Sequence, residues 1–361
     1  MTATIDRPGV RIAELETPMV AIDLDRVDRN IAALQSYCER HGLANRPHIK
    51  THKLPMIAHR QLAAGAAGIT VQKLGEAEVM VAAGIDDILI TFDLIGVVKA
   101  ERLARIARLA TVQVALDNEV ALDTVASAAA RAQREIGVLI EFESTKQRQG
   151  VHDPATALAL ARRAESSGHL RFRGLMTYPS SPYSVAWIAS ARELFQANGI
   201  EIEKVSGGGT PEMWKAHEIA GLTEYRAGTY VYHDRRTVGS GVASLDDCAL
   251  HVHATVVSAP SEHRVVIDAG SKSLTSDLVP GEIGEGHGLI LEHPEAVIVQ
   301  LSEEHGVVDV SACSTRPAIG DRVRIVPNHV CPVSNLFDEV HLHRDGILEA
   351  VLPVAARGKV R

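Results

Sequence analysis

From residue 18 to about 240, short apolar runs alternate with longer stretches whose apolar residues recur at helical spacing. Parallel strands joined by helices produce that alternation. Strands are expected at residues 19–24, 47–50, 68–72, 87–92 and 111–116, and again at 137–143, 172–178, 202–205 and 223–226. Between them lie helical segments such as 25–42 and 120–135. Alanine-rich stretches such as 126–132 suit an outer ring of closely packed helices, since Ala is the best helix former. A (β/α)8 TIM barrel takes eight strands, and counting from 47–50 gives eight, which leaves 19–24 to pair elsewhere. Lys50 then ends the first barrel strand, on the face where barrel active sites are built. An open doubly wound sheet is the competing architecture. It ranks lower because no Gly-x-Gly-x-x-Gly follows an early strand.

Beyond about residue 240 the pattern becomes short apolar runs separated by Gly, Asp and Pro turns, with little helix. Strands are expected at 249–258, 264–268, 296–301, 306–310, 322–327, 339–343 and 346–353. They predict a C-terminal, mostly antiparallel β-domain, the natural partner for the spare strand. With a boundary near Gly239-Ser-Gly241, the expected division is 1–24 as a strand pairing with the C-terminal domain, 25–240 as the barrel and 241–361 as the β-domain.

The 361 residues suffice for one large core and a second domain. A formal net charge of −8 supplies no basic field for nucleic acid or an anionic membrane surface. No apolar run approaches the ~18–20 residues that span a bilayer, and the first residues lack the basic and apolar regions of a signal peptide. Cys38, Cys248, Cys313 and Cys331 fit neither a disulfide scaffold nor a C-x-x-C pair. These features point to a cytoplasmic protein without nucleic-acid or membrane partners.

The stretch Arg46-Pro-His-Ile-Lys-Thr-His-Lys53 surrounds Lys50 with His48, His52 and Lys53. Neighbouring positive charge lowers a lysine pKa and frees the neutral amine to attack a carbonyl, although a solvated basic loop has the same composition. Ser206-Gly-Gly-Gly-Thr210 follows an expected strand and precedes a helix start. Backbone N–H groups of Gly207, Gly208 and Gly209, with the hydroxyls of Ser206 and Thr210, can converge there on a phosphate; the alternative is a flexible turn. Gly228, Thr229 and Tyr230 at the next strand end give a second donor set. An activatable lysine and a phosphate site on one barrel face fit pyridoxal 5′-phosphate, which carries both an aldehyde and a phosphate. Arg148, in the loop after residue 143, is a candidate donor to that cofactor's phenolic oxygen, or simply a solvated loop residue. In Pro327-Asn-His-Val-Cys-Pro332, an extended backbone would turn His329 and Cys331 to one face, suited to Zn2+ or to a buried core pair. His251-Val-His253 has the same spacing mid-strand and reads as structural.

Taken in order, these residues resemble the D-threonine aldolase and D-serine dehydratase family, metal-dependent pyridoxal phosphate enzymes of the alanine-racemase-type fold. The resemblance also runs through Thr17-Pro-Met-Val-Ala-Ile-Asp-Leu-Asp25, Gln72-Lys-Leu-Gly-Glu-Ala-Glu78, Asp268-Ala-Gly-Ser-Lys272, Glu304-His-Gly306 and Ala355-Ala-Arg-Gly358. It implies a barrel with a C-terminal β-domain carrying the metal site, usually as a homodimer acting on small-molecule D-amino acids. Lys50 matches the Schiff-base lysine, and Arg148 and Tyr178 match groups around the cofactor ring. Ser206 to Thr210 and Gly228 to Tyr230 match the phosphate site, and His329 and Cys331 match ligands of a divalent metal (Zn2+, Mn2+ or Mg2+). Cys331 is the dehydratase-type ligand where aldolases carry aspartate, whereas Pro332-Val-Ser-Asn-Leu-Phe-Asp338 is aldolase-like. The loop Pro179-Ser-Ser-Pro-Tyr183 lacks the histidine common to both branches. The activity implied is lysis of D-β-hydroxy-α-amino acids, by retro-aldol cleavage to glycine and an aldehyde. The alternatives are dehydration to an oxo-acid and ammonia, and amino-acid racemisation.

Overall fold

A computed structural model describes residues 9–361, which form two compact units. One comprises Ala33–Lys50, Pro55–Gly228 and Gly358–Arg361; the other comprises the N-terminal residues to Ala32, with Thr51–Leu54 and Thr229–Arg357. In chain order the first nine strands are β1 (Met19–Asp23), β2 (Ala44–Asn45), β3 (Ile69–Val71), β4 (Asp87–Ile90), β5 (Thr111–Leu116), β6 (Ile136–Glu141), β7 (Leu170–Met176), β8 (Lys204–Gly208) and β9 (Glu224–Arg226).

The first unit is the expected barrel. Its eight strands run in the order β2-β9-β8-β7-β6-β5-β4-β3, every pair parallel. The ring closes where Thr70 N donates to Pro47 O at 2.8 Å and His48 bridges Thr70. Leu89, Ala115, Leu139 and Met176, from four successive strands, pack into one buried cluster. Helices return the chain between strands, and their starts are written in the sequence. Asn118 caps Glu119–Ala132 by accepting from Ala121 N, and Asp153 caps Pro154–Glu165 with proline in the first turn.

Two strand assignments differ from expectation. The strand expected at 47–50 is instead Ala44–Asn45, with single bonds continuing from Arg46 N to Tyr225 O and from His48 N to Ala227 O before Ile49–Thr51 turns into a 3-10 helix that carries Lys50. The glycines expected in a loop after 202–205 lie partly inside β8, where Ser206, Gly207 and Gly208 pair with Glu224, Tyr225 and Arg226.

The second unit is mostly antiparallel. Its later strands are β10 (Leu250–Ser261), β11 (Arg264–Ile267), β12 (Leu289–Ile290), β13 (Val297–Leu301), β14 (Gly306–Asp309), β15 (Arg322–Val326), β16 (Glu339–Arg344) and β17 (Ile347–Pro353). They run in the order β13-β14-β11-β10-β1-β16-β17, with β15 pairing β10 and β12. β1 lies between β10, antiparallel, and β16, parallel. The chain enters this unit at Thr229, ahead of Gly239. Backbone bonds from Ala249 N to Tyr232 O and from Arg235 N to Pro327 O tie residues 229–235 into it.

Candidate functional site

Lys50 is positioned by a short polar relay. Its backbone N–H donates to His48 Nδ1 at 3.3 Å, His48 Nε2 lies 3.2 Å from Gln72 Oε1, and Gln72 Nε2 donates to Thr91 O at 2.7 Å. Lys50 Nζ stands 5.3 Å from the centroid of the Tyr178 ring, and the Arg148 guanidinium stands 5.4 Å from the same ring. Lys50, Arg148 and Tyr178 thus line one small cavity, together with His48, Gln72 and Arg226.

Arg226 and Glu141 were not among the residues expected from the sequence. The fully buried Arg226 donates to Ser206 Oγ (2.9 Å), Gly207 O (3.0 Å) and Thr177 O (3.1 Å), which fixes a cation on the cavity wall. Its position at the head of Arg226-Ala-Gly-Thr-Tyr230 was the available signal. Burial pushes the Glu141 carboxyl up to about 7, against the lowering effects of its hydrogen bond from Gln149 and of Arg226 and Arg148. Arg148 Nη2 lies 3.9 Å from Glu141 Oε1.

The glycine segment forms a cradle beside this cavity. Tyr225 donates to Gly209 O at 2.6 Å and Gly208 N donates to Ser180 Oγ at 3.1 Å. Gly209 has φ +121°, and a Cβ there would meet Pro179 Cβ at 3.4 Å and Tyr178 Cε2 at 4.0 Å. Thr210 opens the 3-10 turn Thr210–Glu218, whose first N–H groups lack intrahelical acceptors. The Ser206 hydroxyl is turned inward, donating to Glu224 Oε1 at 2.6 Å, and its backbone lies in the β8 ladder between Met176 and Glu224. An amine, two arginines and a glycine cradle fit a phosphorylated aldehyde. Gly228 ends the barrel unit, whereas Thr229 and the buried Tyr230 begin the second, where Thr229 Oγ1 lies 3.8 Å from Cys331 Sγ.

In the second unit His329 and Cys331 come together, but not on an extended segment. His329 is the N-cap residue of the helix Val330–Leu336, and Cys331 lies in its first turn. Cys331 Sγ is 3.2 Å from Oγ1 of Thr51, the residue after Lys50 in the chain. His329 Nδ1 lies 2.6 Å from Asp277 Oδ2, a partner the sequence reading did not include. Burial would lower the His329 pKa, but its hydrogen bond with Cys331 and the nearby Cys331, Asp277 and Asp234 groups carry it up to about 9. Among the described residues no group of three or more His, Cys, Asp or Glu side chains could hold a metal. His329 and Cys331 could supply two ligands at most, with the Asp277 carboxylate hydrogen-bonded to the histidine. Imidazole with thiolate suits a borderline-soft divalent ion.

A closed parallel barrel with a lysine after its first strand, joined to an antiparallel unit, defines an alanine-racemase-type enzyme. The family described as "Alanine racemase, N-terminal domain" matches residues 22–236, and that described as "Putative serine dehydratase domain" matches residues 249–343. The chain is 36% identical to D-threonine aldolase from Arthrobacter sp over 370 residues, covering 98% of this chain and 95% of the relative. It is 32% identical to D-threo-3-hydroxyaspartate dehydratase from Delftia sp. (strain HT23), covering 90% and 93%. The crystal structure of D-threonine aldolase from Filomicrobium marinum superposes with a TM-score of 0.90 at 31% identity, covering 98% and 99%. The chain belongs to the D-threonine aldolase and D-serine dehydratase-like family of pyridoxal phosphate enzymes.

Proposed function

We propose that this protein is a pyridoxal phosphate- and divalent-metal-dependent lyase of D-β-hydroxy-α-amino acids, cleaving Cα–Cβ to give glycine and an aldehyde. The observation that carries the reading is Lys50 Nζ over the Tyr178 ring in a cavity shared with Arg148, in a chain matching D-threonine aldolase over nearly its whole length. Lys50 would hold the coenzyme aldehyde and, once released, accept or return a proton at Cα. Arg148 would hydrogen-bond the coenzyme's phenolic oxygen, while Tyr178 covers the Lys50 amine. The N–H groups around Gly209 and Thr210 would bind the phosphate, with Gly228, Thr229 and Tyr230 as the second donor set. When bound, the coenzyme supplies an electron sink for negative charge left at Cα. His329 and Cys331 would hold the divalent metal, with Asp277 fixing the imidazole orientation; the metal supplies Lewis acidity toward a substrate oxygen. A homodimer and a cytoplasmic setting belong to the same proposal.

Dehydration to an oxo-acid and ammonia is the second reading, favoured by the thiol of Cys331. The test is incubation of the purified holoenzyme with D-threonine, D-serine, D-phenylserine and 3-hydroxyaspartate isomers in the presence of Zn2+ or Mn2+. Glycine with an aldehyde supports the aldolase, and ammonia with an oxo-acid supports the dehydratase. Release of neither, with only loss of optical activity, would point to a racemase and overturn both.

A further inference from the structure

Arg148, which would hydrogen-bond the coenzyme's phenolic oxygen, has little to hold its side chain. That side chain is 47% exposed, and its guanidinium has no hydrogen-bond partner among the described residues. Glu141 Oε1 lies 3.9 Å away and the Tyr178 ring centroid 5.4 Å away. A long side chain left free in this way loses rotamer entropy when it engages a ligand, so its placement depends on the backbone that carries it.

That backbone is closely fixed. At the base of the loop Val151 N donates to Glu141 O at 2.9 Å and Glu143 N donates to Val151 O at 3.0 Å. Beside Arg148, Gln149 Nε2 donates to Glu141 Oε2 at 2.6 Å. Gly150 has φ +113°, and a Cβ there would meet Phe142 C and Glu143 N at 2.5 Å, so the turn can fold against the end of β6 only with glycine. The Gly150 N–H then donates to Asp117 Oδ2 at 2.7 Å, in the loop that follows β5. A backbone N–H on a carboxylate is a charge-assisted bond and one of the stronger kinds.

Asp117 is itself held from the other side. Asn118 caps Glu119–Ala132 by accepting from Ala121 N at 2.9 Å, and its Nδ2 donates to Asp117 Oδ1 at 2.8 Å. Asp93, after β4, accepts from Asp117 N at 3.2 Å and from Asn118 Nδ2 at 3.3 Å. One oxygen of Asp117 thus faces the helix cap and the other faces Gly150, two residues from Arg148. We infer that Asp117 is a positioning residue for Arg148: through Gly150 N it passes the rigidity of the capped helix to the loop and sets the guanidinium beside the Tyr178 ring, where the coenzyme's phenolic oxygen would lie. This rests on the coenzyme reading of the barrel cavity, and Asp117 acts through the backbone without touching the coenzyme.

The test compares Asp117→Ala, Asp117→Asn and Arg148→Ala, and each Asp117 change combined with Arg148→Ala, in the pyridoxal phosphate-loaded protein. Two quantities are read: the coenzyme dissociation constant by equilibrium dialysis, and the pH at which the visible absorbance of lysine-bound coenzyme titrates. The second responds to a cation at the phenolic oxygen, which a general loosening of the fold would not mimic. Asp117→Ala should weaken coenzyme binding about tenfold, as loss of a hydrogen bond to a charged group does, and shift the titration in the same direction as Arg148→Ala. Asp117→Asn keeps an oxygen facing Gly150 N, so its loss should be about threefold, and it carries the test if Asp117→Ala fails to fold. In the Arg148→Ala background neither Asp117 change should add a further effect. Losses that add in full, or unchanged coenzyme affinity and titration in the folded Asp117 variants, overturn the inference. A wild-type protein with no visible coenzyme band would instead overturn the coenzyme reading, and this inference with it.

Discussion

His329 Nδ1 and Asp277 Oδ2 lie 2.6 Å apart although the two residues are separated by 52 positions in the chain. A carboxylate on one imidazole nitrogen fixes the ring and its tautomer and makes the other nitrogen a better ligand. Asp277→Ala should therefore lower divalent-metal affinity by about 10–100-fold while leaving coenzyme loading intact. Competition with a graded chelator, followed by metal analysis, reads the affinity. Unchanged metal retention would remove Asp277 from the site.

Lys50→Ala makes a separate prediction about the barrel unit. Lys50 is the amine that lines the cavity beside Tyr178. Its loss should abolish the visible absorbance of lysine-bound coenzyme and reduce activity to background. Exhaustive chelation of the wild-type protein should instead abolish activity while sparing that absorbance. An unchanged spectrum in Lys50→Ala would refute the covalent role of Lys50.

How far the sequence reveals this architecture depends on the range of the interactions. The barrel was legible because strand and helix periodicities are local, although Lys50 falls in a 3-10 helix past the end of β2 and Gly207 and Gly208 fall inside β8. The 329–332 segment, expected to be extended, instead opens the helix Val330–Leu336 with His329 as its N-cap and Pro332 in its first turn. A proline is tolerated there because its missing N–H would have had no intrahelical acceptor anyway. Asp277, Arg226 and Glu141 escaped because their roles are set by tertiary neighbours: Asp277 by His329, Arg226 by Ser206 and Thr177, and Glu141 by burial. Spacing carries no trace of such contacts. Ser206 shows the converse, a motif residue whose hydroxyl turns inward to Glu224.

Glu141 predicts a pH dependence. Its folded carboxyl is raised to about 7, chiefly by burial, while Arg148 stands 3.9 Å away. The folded protein therefore holds this proton more tightly than the unfolded chain does. Stability from this group is fully present below the ordinary carboxylate range and is lost as pH rises through about 7, by on the order of 2–3 kcal/mol. Urea denaturation at pH 5 and pH 8 should show that slope in the wild type and its reduction in Glu141→Gln. An ionisation near pH 7 in kcat/KM should disappear in the same variant, because the charge facing Arg148 no longer changes. A profile identical to wild type would mean that Glu141 does not influence the reaction.

Glu224 ties the stability of the barrel to its glycine cradle. Its buried carboxylate accepts from Arg46 Nε at 2.8 Å and from Ser206 Oγ at 2.6 Å, and Lys204 Nζ lies 3.5 Å away. Burial would raise its pKa, but Arg46, Lys204 and Ser206 bring it down to about 2. The stability it contributes is therefore present above the ordinary carboxylate range and lost as pH falls toward 2. Glu224→Gln keeps the shape but leaves the buried Arg46 cation to the part-exposed carboxylate of Asp87, 2.6 Å from its Nη1, which should cost about 1–3 kcal/mol in urea denaturation. Ser206 would lose a charged acceptor in the strand that leads into Gly209, so coenzyme affinity should fall as well. A variant as stable as wild type, or one destabilised with unchanged coenzyme affinity, would show that the buried pair and the cradle are not coupled.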